Sequence, residues 1–355
     1  MKKIFVSFVL LLFVCFLSSC TQKTSETLKF ATWGSATELG IIKPIIQEYE
    51  KLHPETKIEL LHIPQNYFQK IHLLFASNLA PDVIFINNIN LPIYAELLEP
   101  LEYDKTKYHP QVVNSLSING TSYAVPRDVS NLVIYYNKNI FKEKKVDIPS
   151  PSWTISDMFN IAQKLTDKKH WGISYEEEMF YAIPYINAFG QDIYDYTNSN
   201  SLIGLKLYKD LAYRYNIAPQ KSDVGSKTVA QLFIEGRLGM HLSGRWLYPK
   251  YKEVCGFDWG VMTFPTSTPC DASGWAIAKS SKQKQKAKEF IDYLSSKENI
   301  TRLANTGLIV PARNDVNIDN SVFIDAIKKS IPKKLTKDYT KMLDRIKEKE
   351  YDYSL

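Results

Sequence analysis

The stretch SYAVPRDVSNLVIYYN, residues 122–137, contains two strand-like segments separated by a polar break. SYAVP and LVIYYN are rich in β-branched and aromatic residues, which favour extended structure. The segment RDVSN separates them and places Arg127 and Asp128 directly after the first strand-like run. The stretch therefore predicts two consecutive strands with a charged pair between them.

Outward from this stretch, strand-like and helix-like segments alternate along the chain from Leu28 onward. LKFATW, TKIELLHI and PDVIFI are predicted strands, and the last is the continuous apolar run expected of a strand buried on both faces. Apolar residues at helical spacing follow the first two strands. Pro44 falls inside the first helical pattern and predicts a kink or a helix that starts after Glu38. The alternation favours an α/β fold with largely parallel sheets.

The downstream half continues the same pattern. SWTISDMFNIAQKLT opens with Thr154 three residues before Asp157, a variant of the capping box that predicts a helix start. Further helices are predicted at 202–216, 228–235, 282–296 and 297–307 from apolar spacing and terminal glycines. FDWGVMTFP and GWAIA are predicted late strands.

The first twenty residues predict an export leader. MKK is basic, IFVSFVLLLFVCF is an apolar run too short for a stop-transfer helix, and LSSC has the pattern of a bacterial lipobox ending at Cys20. We expect removal of residues 1–19, lipidation of Cys20 and a polar tether over residues 20–27. An ordinary leader with a chance cysteine is the alternative. The protein is thus expected to be exported and lipid-anchored to the cell membrane, facing the periplasm or the cell exterior.

Composition argues for two globular lobes and against nucleic-acid binding. The formal charge of the 355-residue chain is +6, and loss of Lys2 and Lys3 with the leader lowers it to +4, which is too weak a bias for a nucleic-acid partner. Hydrophobic residues at 45% can fill more than one core.

Cys255 and Cys270 remain after the leader and the lipidated Cys20 are set aside. These two cysteines either form a disulfide or stay as two thiols, and their spacing does not suggest zinc. No metal and no cofactor are expected.

A series of segments in fixed order resembles one known family. The segments are TWG, EYEKLHPETKIE, ASNLAPDVIFI, SYAVP, LVIYYNKNIF, PSWTISDMFNIAQKLT, LFIEGRLGMHLSGRW, GWAIAKSSKQKQKAKEFIDYLSS and TGLIVPAR. Together they resemble the extracellular solute-binding proteins of carbohydrate ABC importers, which include maltose-binding and glycerol-phosphate-binding proteins. The resemblance covers Leu28 to about Arg313. It implies a two-lobe periplasmic-binding-protein-like fold, in which each lobe is a mainly parallel sheet flanked by helices and the ligand cleft lies between the lobes.

The resemblance also implies lobe boundaries and a function. Residues 28–127 and 271–314 would form lobe 1, and residues 128–270 and 315–355 lobe 2, with a hinge near 126–130 and 268–272. The protein would be a monomeric receptor, without enzymatic activity, that captures a mono- or oligosaccharide and delivers it to the permease subunits of an ABC transporter. The C-terminal tail is short for the family, so cleft contacts that relatives draw from it would be missing or replaced.

The stretch GMHLSGRWLYP, residues 239–249, is the strongest candidate for a solute-contacting segment. A short apolar strand opens into Ser243 and Gly244, followed by Arg245 and Trp246. Sugars present C–H faces and rims of hydroxyl groups, so a sugar site needs aromatic platforms and planar hydrogen-bonding groups. The full set of predicted ligand-binding residues is Trp33, Gly34, Glu38, Tyr67, Asn87, Asn88, Arg127, Asp128, Ser243, Gly244, Arg245, Trp246, Gly274, Trp275 and Arg313.

Three alternatives stay open at this level. The same fold could bind a sugar phosphate, a polyamine or another solute, because the arginines suit anions while the tryptophans favour neutral sugars. A secreted carbohydrate-active enzyme would need a pair of carboxylates, but no local signature singles out such a pair. A lipoprotein that holds glycans without import is the third. Several of the tryptophans, Tyr67 and the pair Arg127–Asp128 also have plain packing roles as alternatives.

Overall fold

A computed structural model of the chain describes residues 26–189 and 199–332. The strands are β1 (Glu26–Thr32), β2 (Thr56–His62), β3 (Val83–Asn87), β4 (Ser117–Ile118), β5 (Thr121–Ser122), β6 (Val125–Ser130), β7 (Val133–Asn137), β8 (Trp171–Ile173), β9 (Leu238–Ser243), β10 (Trp259–Thr263), β11 (Pro269–Ile277), β12 (Val310–Pro311) and β13 (Ile331–Pro332). The α-helices are α1 (Ala36–Leu52), α2 (Tyr67–Ala76), α3 (Leu91–Tyr94), α4 (Pro110–Ser115), α5 (Lys138–Glu143), α6 (Ile155–Leu165), α7 (Met179–Asn187), α8 (Ser199–Tyr213), α9 (Lys221–Val224), α10 (Val229–Ile234), α11 (Tyr248–Val254), α12 (Lys284–Leu294), α13 (Lys297–Ala304) and α14 (Val322–Lys329).

The strands form two large sheets, one in each lobe. The first has the order β12-β6-β11-β3-β1-β2, with β13 also paired to β11, and the second has the order β10-β7-β9-β8. The chain passes from the first sheet to the second between β6 and β7, which separates the two strands of the 122–137 stretch. It returns between β10 and β11. The prediction of an α/β fold with two lobes is confirmed.

Both sheets are mixed rather than mainly parallel. In the first sheet β1 pairs in parallel with β2 and β3, but β11 is antiparallel to β3 and β6. In the second sheet only β8 and β9 are parallel, while β7 is antiparallel to both β9 and β10. Helix-connected strands near the N-terminus run in parallel, as expected of crossover connections. Strands that cross between the lobes enter the sheets in the opposite direction.

Strand β7 shows how the period-two pattern fills two cores. Val133 and Tyr135 lie in the larger core, which extends through the first lobe and one face of the second sheet. Ile134 and the preceding Leu132 lie in the second core, beneath α6 and α7. Successive side chains of a strand point to opposite faces, so a continuous apolar run is what a strand covered on both sides requires.

Helix α1 begins before Glu38 in spite of its proline. Ser35 is the N-cap residue and forms a capping box with Glu38, and the helix continues through Pro44 to Leu52. The reciprocal hydrogen bonds satisfy two backbone donors that would otherwise be unpaired at the helix start. Of the two outcomes predicted from Pro44, a kink or a start after Glu38, the second is therefore wrong. The predicted capping box of Thr154 and Asp157 at the start of α6 is confirmed.

Two further features bear on the sequence predictions. Cys255 follows α11 in the second lobe, and Cys270 is buried in β11 of the first sheet. The two cysteines are not joined by a disulfide. Within residues 26–189 and 199–332, every helix is too short or too polar to cross a bilayer. Cys20, the leader and most of the tether lie outside the described residues, as does the tail beyond residue 332.

Candidate functional site

Trp33 lies directly after β1, where the strand gives way to α1. Its indole packs edge-on against the rings of Tyr67, Phe68 and Phe85, with centroid distances of 4.8, 5.3 and 4.3 Å. The side chain is only partly buried. Edge-to-face contacts favour a defined ring orientation, so the Trp33 indole is held in a fixed orientation while part of it remains exposed. The carboxyl ends of parallel strands are where open α/β sheets bind ligands, and Trp33 lies at such an end.

Tyr67, predicted to contact solute, is instead part of the wall behind Trp33. Its hydroxyl donates to the carbonyl of Ala31 and accepts from the amide of Phe85, both at 3.1 Å, and so joins β1 to β3. Burial raises the pKa of Tyr67 well above its ordinary value, which keeps the phenol neutral. Because α2 begins at Tyr67 and turns this side chain inward, the residue supports the tryptophan and is not on the exposed surface.

Arg127 holds two carboxylates together beside the same wall. Its guanidinium donates to both oxygens of Asp128 at 2.9 and 3.1 Å and to Glu38 at 3.2 Å. It also lies 4.1 Å from the centroid of the Phe85 ring. Both Arg127 and Asp128 are more than nine-tenths buried. The pairing of Arg127 with Asp128, the alternative to a solute contact in the sequence analysis, is observed, and charge neutralisation with a bidentate geometry offsets the cost of burying it.

The other predicted residues of the first lobe have mainly local roles. Gly34 is partly exposed beside Trp33, and its carbonyl accepts from Nε2 of His62 at 3.1 Å. The side-chain oxygen of Asn87 accepts from the backbone and side-chain amides of Asn90. Asn88 is fully buried and donates to the carbonyl of Cys270 at 2.9 Å. Asn88 therefore ties β3 to β11 and is not a solute-facing amide, whereas Asn87 is only partly buried.

In the second lobe, the carboxyl ends of β8 and β9 lie side by side because these strands are parallel. The hydroxyl of Ser174, just after β8, accepts from the amide of Leu242 at 2.9 Å and fixes the two ends together. Ser243 ends β9 and is buried, and Trp246 follows within one turn, only partly buried. The Trp246 ring lies 6.5 Å from that of Phe180 on α7. This edge of the second sheet thus also presents a supported tryptophan.

Gly244 is required by the position of the Trp246 indole. A Cβ atom at position 244 would lie 1.8 Å from Cζ3 of Trp246, far inside van der Waals contact. The carbonyl of Gly244 accepts from the buried hydroxyl of Tyr135 at 2.8 Å, which fixes this backbone. The predicted close approach at Gly244 is thus made by the protein's own tryptophan, which lies across the glycine.

Arg245, predicted to grip solute, is directed away from the strand end. The side chain is 3% exposed and its guanidinium donates to Asp319 at 2.8 Å. It lies between the rings of Tyr248 and Phe323, at 5.1 and 4.9 Å from their centroids. A guanidinium between two aromatic rings with a carboxylate partner is a stable structural arrangement. Arg245 therefore fastens the segment before α14 to the second lobe.

Gly274 and Trp275, two residues of β11 that were predicted to contact solute, lie in the interior of the first lobe. Trp275 is fully buried, with its ring 6.4 Å from that of Phe85, so its prediction as a solute contact is wrong. At Gly274 a Cβ atom would lie 2.3 Å from the carbonyl oxygen of Val125. The register between β11 and β6 shifts at this point. Gly274 is therefore explained by close strand pairing rather than by a ligand.

Arg313 also has a structural role. It donates to both oxygens of Asp315 at 2.8 and 2.7 Å and to the carbonyl of Ser295 at 3.1 Å. Its guanidinium lies 5.7 Å from the ring of Tyr108. These contacts join the chain after β12 to the end of α12, and they occupy the donors that a solute would need.

The segment YEEEMFY, residues 175–181, is closer to this edge than the sequence suggested. The sequence of this segment, three consecutive glutamates with aromatic residues on both sides, indicates a solvated acidic turn with one or two aromatic residues near the cleft. The structure buries Tyr175 and Tyr181 and places Phe180 beside Trp246. Glu176 lies 3.6 Å from the buried His241 of β9. The sequence does show aromatic residues on both sides of the acids. Whether these aromatic side chains point inward depends on the tertiary contacts of α7.

One group of residues has the composition of a metal site. Glu143, Asp167 and His170 have ligand atoms within 4.8 Å of one another. The ammonium group of Lys144 is bonded to Asp167 and lies 3.4 Å from Glu143. A lysine already neutralises these acids, so the geometry does not favour a divalent cation here.

The chain passes between two lobes. In each lobe, a partly exposed tryptophan lies at the edge of the sheet where strands end. This arrangement defines a two-lobed ligand-binding protein. Residues 44–329 match the bacterial extracellular solute-binding proteins. The chain belongs to this family.

Individual relatives agree with this assignment. The chain is 21% identical to the galactooligosaccharide-binding protein of Bacillus subtilis over 313 residues, which covers 79% of this chain and 72% of that protein. The sugar-binding protein MalE of Xanthomonas citri superposes with a TM-score of 0.79 at 20% identity, over 91% of this chain and 90% of that one. An ABC substrate-binding protein of Listeria monocytogenes, solved in complex with cycloalternan, superposes with a TM-score of 0.78 at 22% identity, over 91% of this chain and 92% of that one. These structural likenesses show the fold.

Proposed function

We propose that the protein is the substrate-binding lipoprotein of an ABC importer, which captures a mono- or oligosaccharide between its lobes and delivers it to a membrane permease. The observation that carries the proposal is the pair Trp33 and Trp246. Each follows a strand at a strand-end edge and each is partly exposed. Trp33 packs against the rings of Tyr67 and Phe85, and the Trp246 ring lies 6.5 Å from that of Phe180. Indole faces stack on the C–H faces of sugar rings.

The named relatives support a sugar rather than another solute. One is a galactooligosaccharide-binding protein and another structure contains cycloalternan. The arginines that suggested an anion are engaged within the protein: Arg127 with Asp128 and Glu38, and Arg245 with Asp319. A neutral solute therefore fits the proposal better than a sugar phosphate.

A binding role is also favoured over hydrolysis. Glu38 and Asp128, two of the acids that a glycosidase would need, share the guanidinium of Arg127. A glycosidase needs one carboxyl group that is free to donate a proton to the leaving group and a second that acts on the sugar or on water, whereas both of these carboxylates are hydrogen-bonded to the same guanidinium. We therefore propose that the protein does no chemistry on its solute.

The lobe boundaries and the anchor are part of the same proposal. The boundaries expected at residues 127/128 and 270/271 are moved to the β6–β7 and β10–β11 connections, because Asp128 to Ser130 pair in the first sheet and Pro269 begins a strand of that sheet. Cys20 carries a lipid that holds the protein at the membrane surface, beside the permease.

The proposal is tested by measuring solute binding to Trp→Ala variants. Trp33→Ala and Trp246→Ala should each weaken binding of a galacto- or maltooligosaccharide by tenfold or more, about 1.4 kcal/mol, measured by calorimetry. Trp171→Ala is the matched control, because Trp171 is a partly buried tryptophan at the amino end of β8 that stacks on Arg237 at 4.6 Å. Equal binding by the wild type and both variants would refute the assigned roles, and wild-type binding of only sugar phosphates or polyamines would redirect the proposal.

A further inference from the structure

His241 lies in the second lobe on β9, two residues before the strand ends. Its imidazole is fully buried. Nδ1 lies 2.5 Å from the hydroxyl of Tyr251, and Nε2 lies 3.6 Å from Oε1 of Glu176. A line of polar groups therefore runs from the interior of the lobe, through the imidazole, to a carboxylate near the surface.

The tyrosine determines which imidazole nitrogen carries the proton. Tyr251 is fully buried, and burial raises its pKa far above the ordinary value, so the phenol keeps its proton. A phenol that keeps its proton can donate it to Nδ1, and an imidazole that accepts at Nδ1 carries its own proton on Nε2. Among the described residues, Nε2 has no hydrogen-bond partner within reach. Its N–H is thus a buried donor next to Glu176, slightly too distant for a hydrogen bond.

The backbone of Glu176 is held at the strand end near Trp246. The hydroxyl of Tyr208 lies 2.8 Å from both the amide and the carbonyl of Glu176. The residue follows β8, whose carboxyl end lies beside that of β9. The Glu176 side chain is 26% exposed, so one side of the carboxylate faces the histidine and the rest is accessible.

We propose that Glu176 accepts a hydrogen bond from a hydroxyl of the bound sugar, and that His241 is the positioning residue that orients this carboxylate. The inference rests on the proposed function. A carboxylate has about four acceptor sites, so Oε1 can accept from Nε2–H of His241 while Oε2 accepts from solute. A movement of less than about 1 Å brings Nε2 and Oε1 to hydrogen-bond distance. The rings of Tyr135 and Phe233 lie 6.5 and 5.9 Å from that of His241, and Tyr181 lies near Glu176.

The test is a double-mutant cycle on sugar affinity. His241→Phe removes the donor while keeping a ring, His241→Gln restores an N–H donor, and Glu176→Gln removes the charge of the acceptor. We expect His241→Phe and Glu176→Gln each to weaken binding about tenfold, His241→Gln to recover most of the loss, and the double variant to bind no worse than Glu176→Gln alone. Glu177→Gln is the matched control, because the Glu177 carboxylate is paired with Lys221 on the exposed surface.

Thermal unfolding and nitrogen NMR separate positioning from stability. A purely structural histidine would lower the melting temperature of the unliganded protein without changing affinity, or its effect would add to that of Glu176→Gln, and either result would overturn the proposal. The ring nitrogens of the wild type should show a proton on Nε2, and a proton on Nδ1 instead would also overturn it. If Trp33→Ala and Trp246→Ala weaken binding but Glu176→Gln does not, this inference fails while the proposed function stands. If the wild type binds no sugar, both fail.

Discussion

At position 244, the absence of one methyl group allows the Trp246 indole to lie across the backbone. Gly244→Ala places a Cβ atom 1.8 Å from Cζ3 of that ring, so either the indole or the strand end must move. We expect sugar affinity to fall by tenfold or more, about 1.4 kcal/mol, although the tryptophan itself is retained. Gly256→Ala is the control, because a Cβ atom there meets nothing within 4 Å. Calorimetry that gives equal affinity for both variants would show that the ring position does not matter for binding.

Residue types predicted the chemistry of the edge better than they predicted which side chains reach it. Trp33 and Trp275 both stand beside a glycine and near a strand end, yet Trp33 is partly exposed and Trp275 is fully buried. The difference lies in β11, which runs between β3 and β6 and carries Trp275 into the core. Arg245 is similar: its partner Asp319 is 74 residues away in the chain. Partners so distant in sequence cannot be identified from one local pattern.

At the scale of the element, the chain after β12 depends on the pair Arg313 and Asp315. Hydrogen bonds from Arg313 lower the pKa of Asp315 below its ordinary value. A lowered carboxyl pKa stabilises the folded state above the unfolded-state pKa, and this contribution disappears as the pH falls through the folded-state value. Asp315→Asn should therefore lower the free energy of unfolding at pH 7 by less than about 1 kcal/mol for this partly exposed pair, which is seen as a slightly lower melting temperature. The difference should begin to shrink near pH 4, about the ordinary carboxyl pKa, and vanish at a pH below the lowered folded-state value.

The control for this prediction is Asp325→Asn on α14, where the carboxylate pairs with Lys328 in an exposed i,i+3 contact. Exposed pairs of this kind contribute little, so its melting temperature should follow the wild type. A constant difference between Asp315→Asn and the wild type from pH 7 to pH 3 would assign the effect to packing rather than to charge.

Local signals predicted several elements because the physics that forms them is local. The capping box of Thr154 and Asp157 and the apolar spacing of α6 are complete within a dozen residues. Strand direction is different. The antiparallel pairing of β11 with β3 and β6 brings together segments more than 130 residues apart, and the apolar pattern of a strand is the same in either direction. The sequence therefore predicted strands correctly and their relative directions only in part.

At the scale of the whole molecule, hydrogen bonds limit where the lobes can rotate. On the returning connection, Thr266 and Ser267 bond to α7 of the second lobe, while Pro269 begins a strand of the first sheet. On the outgoing connection, Ser130 still pairs in the first sheet and Val133 already pairs in the second. Among the described residues, rotation that leaves both sheets intact must therefore be absorbed within residues 130–133 and 267–269 and on either side of α14, which packs on β10 of the second lobe between β12 and β13 of the first sheet, since hinges are short segments that absorb backbone rotation. The hinge expected near 126–130 and 268–272 is thus shifted by a few residues.

Closure around a solute should make the molecule more compact. Under the proposed function one sugar touches both Trp33 of the first lobe and Trp246 of the second, so binding free energy favours the arrangement in which both rings reach the solute. We expect small-angle scattering of the wild type to show a smaller radius of gyration with a saturating oligosaccharide than without it. Trp33→Ala keeps both sheets but removes one of the two tryptophans that contact the sugar. Its radius of gyration should therefore decrease less than that of the wild type at the same sugar concentration. Identical scattering profiles for the wild type with and without a sugar that calorimetry shows to bind would mean that the solute is held by one lobe alone.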